Sequence, residues 1–199
     1  MGIRSKNAVR CLKCRLHAKD CICSIIPRLK LKTNIIVAMH HSEWIKTTAS
    51  APLFALAAPD NCEIRLRGLK GIAFNDKDIV VPQRQTFLLY PRNNAQVLTR
   101  ELIKQDPKPV TLIVPDGNWR QAAKITQREP VLSKLKTVVL PDMGPSKYKL
   151  RHEPKTGGLA TFEAIARALK IIEGESVYQE LDKIFVEMVD RTMATRGHR

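Results

Sequence analysis

The sequence predicts an α/β fold: a mostly parallel sheet flanked by helices, preceded by a small metal-binding knuckle. Three observations predict it. From Asn34 onward, short β-branched runs alternate with stretches of helical spacing, the pattern of strands joined through crossover helices. Three of those runs stop at a proline, at Pro91, Pro115 and Pro141, as buried strands do where the chain turns out of the sheet. Four of the five cysteines crowd into thirteen residues near the N-terminus, apart from the rest of the text.

The knuckle comes first. Cys11 and Cys14 enclose two residues, Cys21 and Cys23 enclose one, and six residues separate the pairs. Two close pairs across a short loop can wrap one tetrahedral ion, and four thiolates suit Zn²⁺ better than a harder cation. An iron–sulfur cluster is the alternative; a redox pair would leave Cys21 and Cys23 unexplained. A disulfide framework is disfavoured because the N-terminus lacks the apolar core of a secretory signal, so a reducing, cytoplasmic location is expected. Such a segment is too short to fold on its own core, and metal binding would fix it.

Charge concentrates in the same place. The 199 residues carry 34 Lys+Arg against 19 Asp+Glu, a formal net charge of +15. Residues 1–100 hold 17 basic and six acidic side chains, whereas residues 101–199 hold 17 and 13. Within the first 32 residues stand Arg4, Lys6, Arg10, Lys13, Arg15, Lys19, Arg28, Lys30 and Lys32 against Asp20 alone. This reads as phosphate-seeking, with a solvated basic tail as the plainer alternative. The composition shift near Lys32 divides the chain into a basic zinc knuckle, residues 1–32, and an α/β domain, residues 33–199. At 44% hydrophobic the chain can bury a core, and its longest apolar stretch is far below the ~18 residues of a membrane span.

The remaining elements follow in order. Residues 35–39 read as a buried strand, followed by His40 and His41 and an amphipathic or loop stretch through Pro59. Strands are expected at 64–66, 79–81 and 86–90. Residues 95–105 place Val97, Leu98, Leu102 and Ile103 on helical spacing. Residues 110–114 form a central strand ending at Pro115-Asp116-Gly117, and 119–128 a helix. A strand at 137–140 and two helices, 161–173 and 177–193, close the chain, the last with Leu181, Ile184, Phe185 and Met188 as a core stripe. Neither a G-x-G-x-x-G nor a G-x-x-x-x-G-K-[ST] occurs, so ordinary nucleotide-binding fingerprints are absent.

In an open α/β sheet, ligands bind outside the carboxyl ends of the strands. Three such ends are polar or turn-forming: Tyr90-Pro91-Arg92, Pro115-Asp116-Gly117-Asn118-Trp119, and Pro141-Asp142-Met143-Gly144. Asp116, at the tip of a buried strand beside a glycine and an indole, suits a general base, or else Asp116 or Asn118 caps the next helix. Gly158, Leu159 and Thr161 open a helix whose N–H groups could hold an anion, or Thr161 simply caps it. Tyr148, Lys149 and Arg151 read as RNA contacts or as the polar face of an edge strand.

Several landmarks, in order, carry a resemblance: the cysteine cluster; His41-Ser42-Glu43 followed by Lys46-Thr47-Thr48; Leu89-Tyr90-Pro91; Asp116-Gly117-Asn118-Trp119; Tyr148-Lys149-Leu150-Arg151; and Thr161-Phe162-Glu163-Ala164. Over residues 10–175 the sequence resembles the DTW-domain family, named for an Asp-x-Thr-Trp motif in which Asn118 here replaces Thr. The resemblance implies a tRNA-uridine aminocarboxypropyltransferase, an enzyme that moves the 3-amino-3-carboxypropyl group of S-adenosylmethionine to N3 of a tRNA uridine and releases methylthioadenosine. It also implies kinship with SPOUT-like folds and a C-terminal trefoil knot.

Under that resemblance Asp116 is the catalytic base, and Trp119 stacks on the target base or walls the pocket. Tyr90, Pro91, Leu140, Pro141, Gly158, Leu159 and Thr161 are expected in the S-adenosylmethionine loops, and Arg15, Lys19, Lys46, Arg120 and Arg151 on the RNA. The expected partners are tRNA and S-adenosylmethionine, with neither a membrane nor an obligatory protein partner. The alternatives are a SPOUT-type RNA methyltransferase and a non-catalytic zinc-ribbon RNA-binding protein.

Overall fold

The computed structural model describes residues 9–150 and 158–196. Arg4, Lys6 and Arg151 lie outside the described residues. Two 3-10 turns, Ala18–Asp20 and Cys23–Ile25, belong to the cysteine segment. Then follow β1 (Asn34–His40), α1 (His41–Trp44), α2 (Ala51–Ala57), β2 (Cys62–Arg67), β3 (Gln85–Leu89), β4 (Gln96–Val97), α3 (Arg100–Lys104) and β5 (Val110–Asp116). The chain continues through α4 (Trp119–Arg128), α5 (Pro130–Ser133), β6 (Lys136–Val139), α6 (Thr161–Ile172) and α7 (Glu175–Thr195).

All six strands pair in parallel, in the order β2-β1-β5-β3-β6-β4. Alternation along the strands sends side chains to two cores. Ile35, Val37, Met39, Leu112 and Val114 face one core, shared with α2, α6 and α7 through Phe54, Phe162 and Phe185. Ile36, Ala38, Leu88 and Ile113 face the other, closed by Ile125 of α4 and by Leu132 of α5. Both faces of the sheet are covered, which is why its central strands are continuous hydrophobic runs.

The strand order sets the switch point of the sheet. From β1 the chain moves outward to β2, whereas from β5 it moves the opposite way to β6. The two directions part between the adjacent strands β1 and β5, so the crevice at their carboxyl ends is the switch point of the sheet. Met39 pairs with Asp116 there.

Two expected elements differ. Residues 79–81 form no strand; Ile79 instead plugs the second core as a buried loop residue, and its hydrophobicity has a loop cause. The helix expected over 95–105 begins only at Arg100. Thr99 caps it, its hydroxyl accepting from Leu102 N at 3.2 Å, while Gln96 and Val97 pair with β6 at the sheet edge. The stripe on α7 is core: Leu181, Ile184, Phe185 and Met188 are all buried.

The cysteine segment is joined to this core. Arg10 and His17 pair as an antiparallel bridge, closing a hairpin around the Cys11–Cys14 turn. Leu16 and Ile22 are buried in the larger core. Arg191 of α7 donates to Cys21 O at 2.8 Å, and Thr195 to Asp20 Oδ2 at 2.7 Å. At the far end, Thr33 donates from both N and Oγ1 to Glu173 Oε1, at 2.7 and 2.5 Å. Among the described residues no helix is long and apolar enough to cross a membrane.

Candidate active site and metal centre

Asp116 ends β5 at the switch point and is only 8% exposed. Thr161, the first residue of α6, donates its hydroxyl to Asp116 Oδ1 at 2.6 Å. Thr161 is therefore not the helix cap; Ala160 holds that position without a side-chain bond. The α6 N-terminus is also partly committed, since Phe162 N donates to Ser50 Oγ at 3.2 Å. A strand tip and a helix start from distant sequence are thus tied through one carboxylate.

Asn118 is the N-cap of α4. Its Oδ1 accepts from Gln121 N and its own N–H donates to Gln121 Oε1, both at 2.9 Å, a reciprocal capping box. Threonine and asparagine both serve as N-caps through a side-chain oxygen, so the Asn in place of the motif Thr preserves the turn. Gly117 has a steric cause: a Cβ there would sit 2.8 Å from Gln121 Cβ and 3.1 Å from its Oε1. Any side chain at 117 would disrupt the capping box. Trp119 follows as the half-buried first residue of α4, and Arg120 is exposed.

Gln121 also reaches across the crevice. Its Nε2 donates to Ser42 Oγ at 3.1 Å and lies 3.2 Å from His40 Nδ1. Ser42 N donates to the same Nδ1 at 3.2 Å. Two N–H donors facing Nδ1 assign the ring proton to Nε2. Burial, then the charges of His41 and Arg67, hold the His40 pKa below its usual value. His40 Nε2 faces Gly68, where a Cβ would stand 3.2 Å away and where φ is +86°. The two histidines are thus the seam between β1 and α1, packed with ring centroids 4.6 Å apart, rather than a solvated loop.

The same edge carries the other strand ends. Leu88 pairs with Ile113 and Leu89 with Val138, so continuing the register brings Tyr90 and Pro91 level with Pro115 and Asp116 on one side and with Val139 and Leu140 on the other. Burial raises the Tyr90 pKa. Tyr90, Leu140 and Pro141 are half-buried, Pro91 is exposed, and Gly158 is buried at the approach to α6.

The loop after β6 is held down by a pair that the sequence did not reveal. Glu163 and Arg167, both buried, meet at 2.9 Å on α6. Glu163 also accepts from Ser146 Oγ at 2.5 Å and Lys147 N at 2.9 Å, while Arg167 donates to Gly144 O and Pro145 O. Tyr148 is buried against Phe185, with its hydroxyl donating to Thr48 O at 2.6 Å, so it belongs to the core and not to an RNA-facing surface. Arg167→Met would leave Glu163 charged and buried, and we expect a loss of about 3 kcal/mol in denaturant unfolding, the low end for a broken buried pair because Ser146 and Lys147 still donate.

At the N-terminus, the sulfurs of Cys11, Cys14, Cys21 and Cys23 all lie within 4.8 Å of one another. Cys11 and Cys23 are 3.5 Å apart, and Cys14 and Cys21 3.8 Å. A tetrahedron with metal–sulfur bonds of ~2.3 Å puts its sulfurs about 3.8 Å apart, so the four are positioned to hold one ion. The backbone N–H groups of Cys14 and Lys13 bring the Cys11 thiol down to about 6, whereas burial pushes Cys23 up to about 12. Cys62 stands apart in β2 with burial raising its thiol to about 12, an inert core residue.

Around the knuckle, Arg15 donates to Trp44 O at 2.6 Å and its guanidinium lies over the indole, 4.3 Å from the centroid. Lys19 is exposed. Lys46 pairs with the buried Glu43 at 2.5 Å. Sequence reasoning gave Gln121 and Trp44 no place in this region and Ser42 only as one of the family landmarks; the Gln three residues after Asn118 was the available signal for the capping box.

A doubly wound parallel α/β domain with a buried carboxylate at its switch point, joined to a four-cysteine knuckle, defines the class. The chain belongs to the DTW domain family, whose model matches residues 8–193. It is 29% identical to tRNA-uridine aminocarboxypropyltransferase 2 of Macaca fascicularis, over 88% of this chain and 60% of that protein. It is 30% identical to the protein of that name in Drosophila melanogaster, over 82% of this chain and 66% of the relative. With tRNA-uridine aminocarboxypropyltransferase A of Arabidopsis thaliana it shares 26% identity, over 90% and 79%. The chain thus spans about three fifths to two thirds of the length of the first two relatives. No solved structure matches it.

Proposed function

We propose that the protein is a tRNA-uridine aminocarboxypropyltransferase that alkylates uridine N3 with the 3-amino-3-carboxypropyl group of S-adenosylmethionine. The observation that carries the reading is Asp116, buried at the switch point and fixed by Thr161 where the fold class binds ligands. The names of the relatives supply the reaction class.

Uridine N3 is protonated at neutral pH, so a base within hydrogen-bond reach must take that proton as N3 attacks. Asp116 takes it. The N3–carbon bond forms as the carbon–sulfur bond of the sulfonium breaks, the bonding pair stays on sulfur, and methylthioadenosine leaves neutral. S-adenosylmethionine supplies the electrophilic carbon; the chain has to orient it so that the carboxypropyl carbon faces N3, a task of position rather than of new reactive groups. Tyr90, Pro91, Leu140, Pro141, Gly158, Leu159 and Thr161 are the residues we assign to holding it, with Trp119 walling the crevice. We read the domain as SPOUT-like with a threaded C-terminal part, a reading compatible with Tyr148 bonding Thr48 O and Phe162 N of α6 bonding Ser50.

We assign Zn²⁺ to the four cysteines, as a structural ion in a closed thiolate site. Residues 1–32 and the exposed cations Lys19, Lys46 and Arg120, with Arg15 and Arg151, then grip tRNA in the cytoplasm while residues 33–199 carry out the chemistry. Asn118 keeps the capping role that a Thr would have there, which supports reading the domain as active.

Incubating the protein with unmodified tRNA and S-adenosylmethionine is expected to release methylthioadenosine in step with loss of a uridine in nucleoside mass spectrometry. Release of S-adenosylhomocysteine would make it a methyltransferase instead, and tRNA binding with neither product a non-catalytic binder.

A further inference from the structure

Trp44 is the last residue of α1, one short helix away from His40 at the carboxyl end of β1. It is 40% exposed although indoles are usually well buried, and Ile45 beside it is 81% exposed. Nothing in its own element explains an aromatic held at the surface here.

Its surroundings do. Arg15 follows Cys14 directly and adopts a left-handed backbone, φ 64°, so the cysteine turn sets the direction of its side chain. The guanidinium is fixed twice, by its bond to Trp44 O and by its seat over the ring. An aromatic whose one face carries a fixed cation and which still remains 40% exposed is preorganised to stack a flat partner. Beside it, Lys46 stays partly exposed while paired with Glu43. The first 32 residues contribute nine Lys/Arg against one acid. A flat π-face with a cation fixed over it, on a chain whose first 32 residues are strongly basic in sequence, fits an unpaired nucleobase flanked by its phosphates, and it disfavours a peptide aromatic, which brings no anion.

We propose that Trp44, braced by Arg15, is a stacking platform for an unpaired base of the RNA substrate, placed beside the crevice that holds Asp116. This rests on the tRNA reading above. The knuckle thereby contributes shape as well as charge: it orients Arg15, and Arg15 steadies the indole. A brace alone would call for a buried tryptophan, whereas a platform has to remain accessible.

The test compares wild type, Trp44→Ala and Trp44→Phe in tRNA binding at several salt concentrations, with metal content and S-adenosylmethionine affinity measured alongside. Trp44→Ala is expected to bind about 5- to 150-fold more weakly, the cost of one stacked base. Trp44→Phe should recover most of that loss. The salt slope should stay unchanged because no phosphate contact is removed. In a Trp119→Phe background, single-stranded oligouridylate should quench the Trp44 fluorescence. Binding by Trp44→Ala within twofold of wild type overturns the platform, as does a loss that comes with loss of the metal, which would make Trp44 a brace for the knuckle. A wild-type protein that binds no tRNA defeats the tRNA reading itself.

Discussion

Replacing Asp116 with Asn is expected to slow methylthioadenosine release by about 10²- to 10⁴-fold, the usual contribution of a positioned general base. Asn is nearly isosteric, and its amide oxygen can accept the Thr161 hydroxyl that now binds Asp116 Oδ1 at 2.6 Å. The tie between β5 and α6 should therefore survive. What is lost is the capacity to take a proton. tRNA and S-adenosylmethionine affinities should remain within a few-fold of wild type, placing the loss in turnover rather than in binding. Release at a near-normal rate would remove Asp116 from the chemistry, and a parallel collapse of both affinities would reduce it to a structural link.

The strands of the central sheet were legible because they are buried on both faces, which makes residues 35–39 an unbroken apolar run and 110–114 one interrupted only by the buried Thr111. The same reasoning misplaced residues 79–81, because Ile79 is equally apolar while filling the second core from a loop. Over 95–105, the helical spacing of Val97 and Leu98 with Leu102 and Ile103 was accidental: Val97 belongs to an edge strand, and the cap at Thr99 marks where the helix starts. At the site, Asp116 stood out as an acid at a strand tip, but its bond to Thr161 joins residues 45 apart and has no local trace. Gln121 was half legible, as a cap partner, and its reach to Ser42 was not. Local chemistry can be read along the chain; contacts that close the crevice depend on which strands become neighbours.

Cys11→Ser combined with Cys14→Ser should remove the metal, about one equivalent per chain by elemental analysis, and the damage should not stop at the knuckle. Ile22, between Cys21 and Cys23, is fully buried in the larger core, and Leu16 is buried in the same core. Releasing both side chains to water costs on the order of 1.5–3 kcal/mol each. Arg191 and Thr195 of α7 would lose Cys21 O and Asp20 as partners. For a chain of this length, with about 2–4 °C of melting temperature per kcal/mol, a fall of at least about 6 °C follows in the melt of the whole protein. Arg15 would also lose the turn that aims it at Trp44, so tRNA binding should weaken together with stability. The result that sinks this account is a metal-free double variant melting at the wild-type temperature. Because its hydrophobic anchors sit in the shared core, the knuckle should unfold with the α/β domain in one transition, not as a separate domain. A distinct low-temperature transition confined to residues 1–32 would instead establish the boundary at Lys32 as a thermodynamic one.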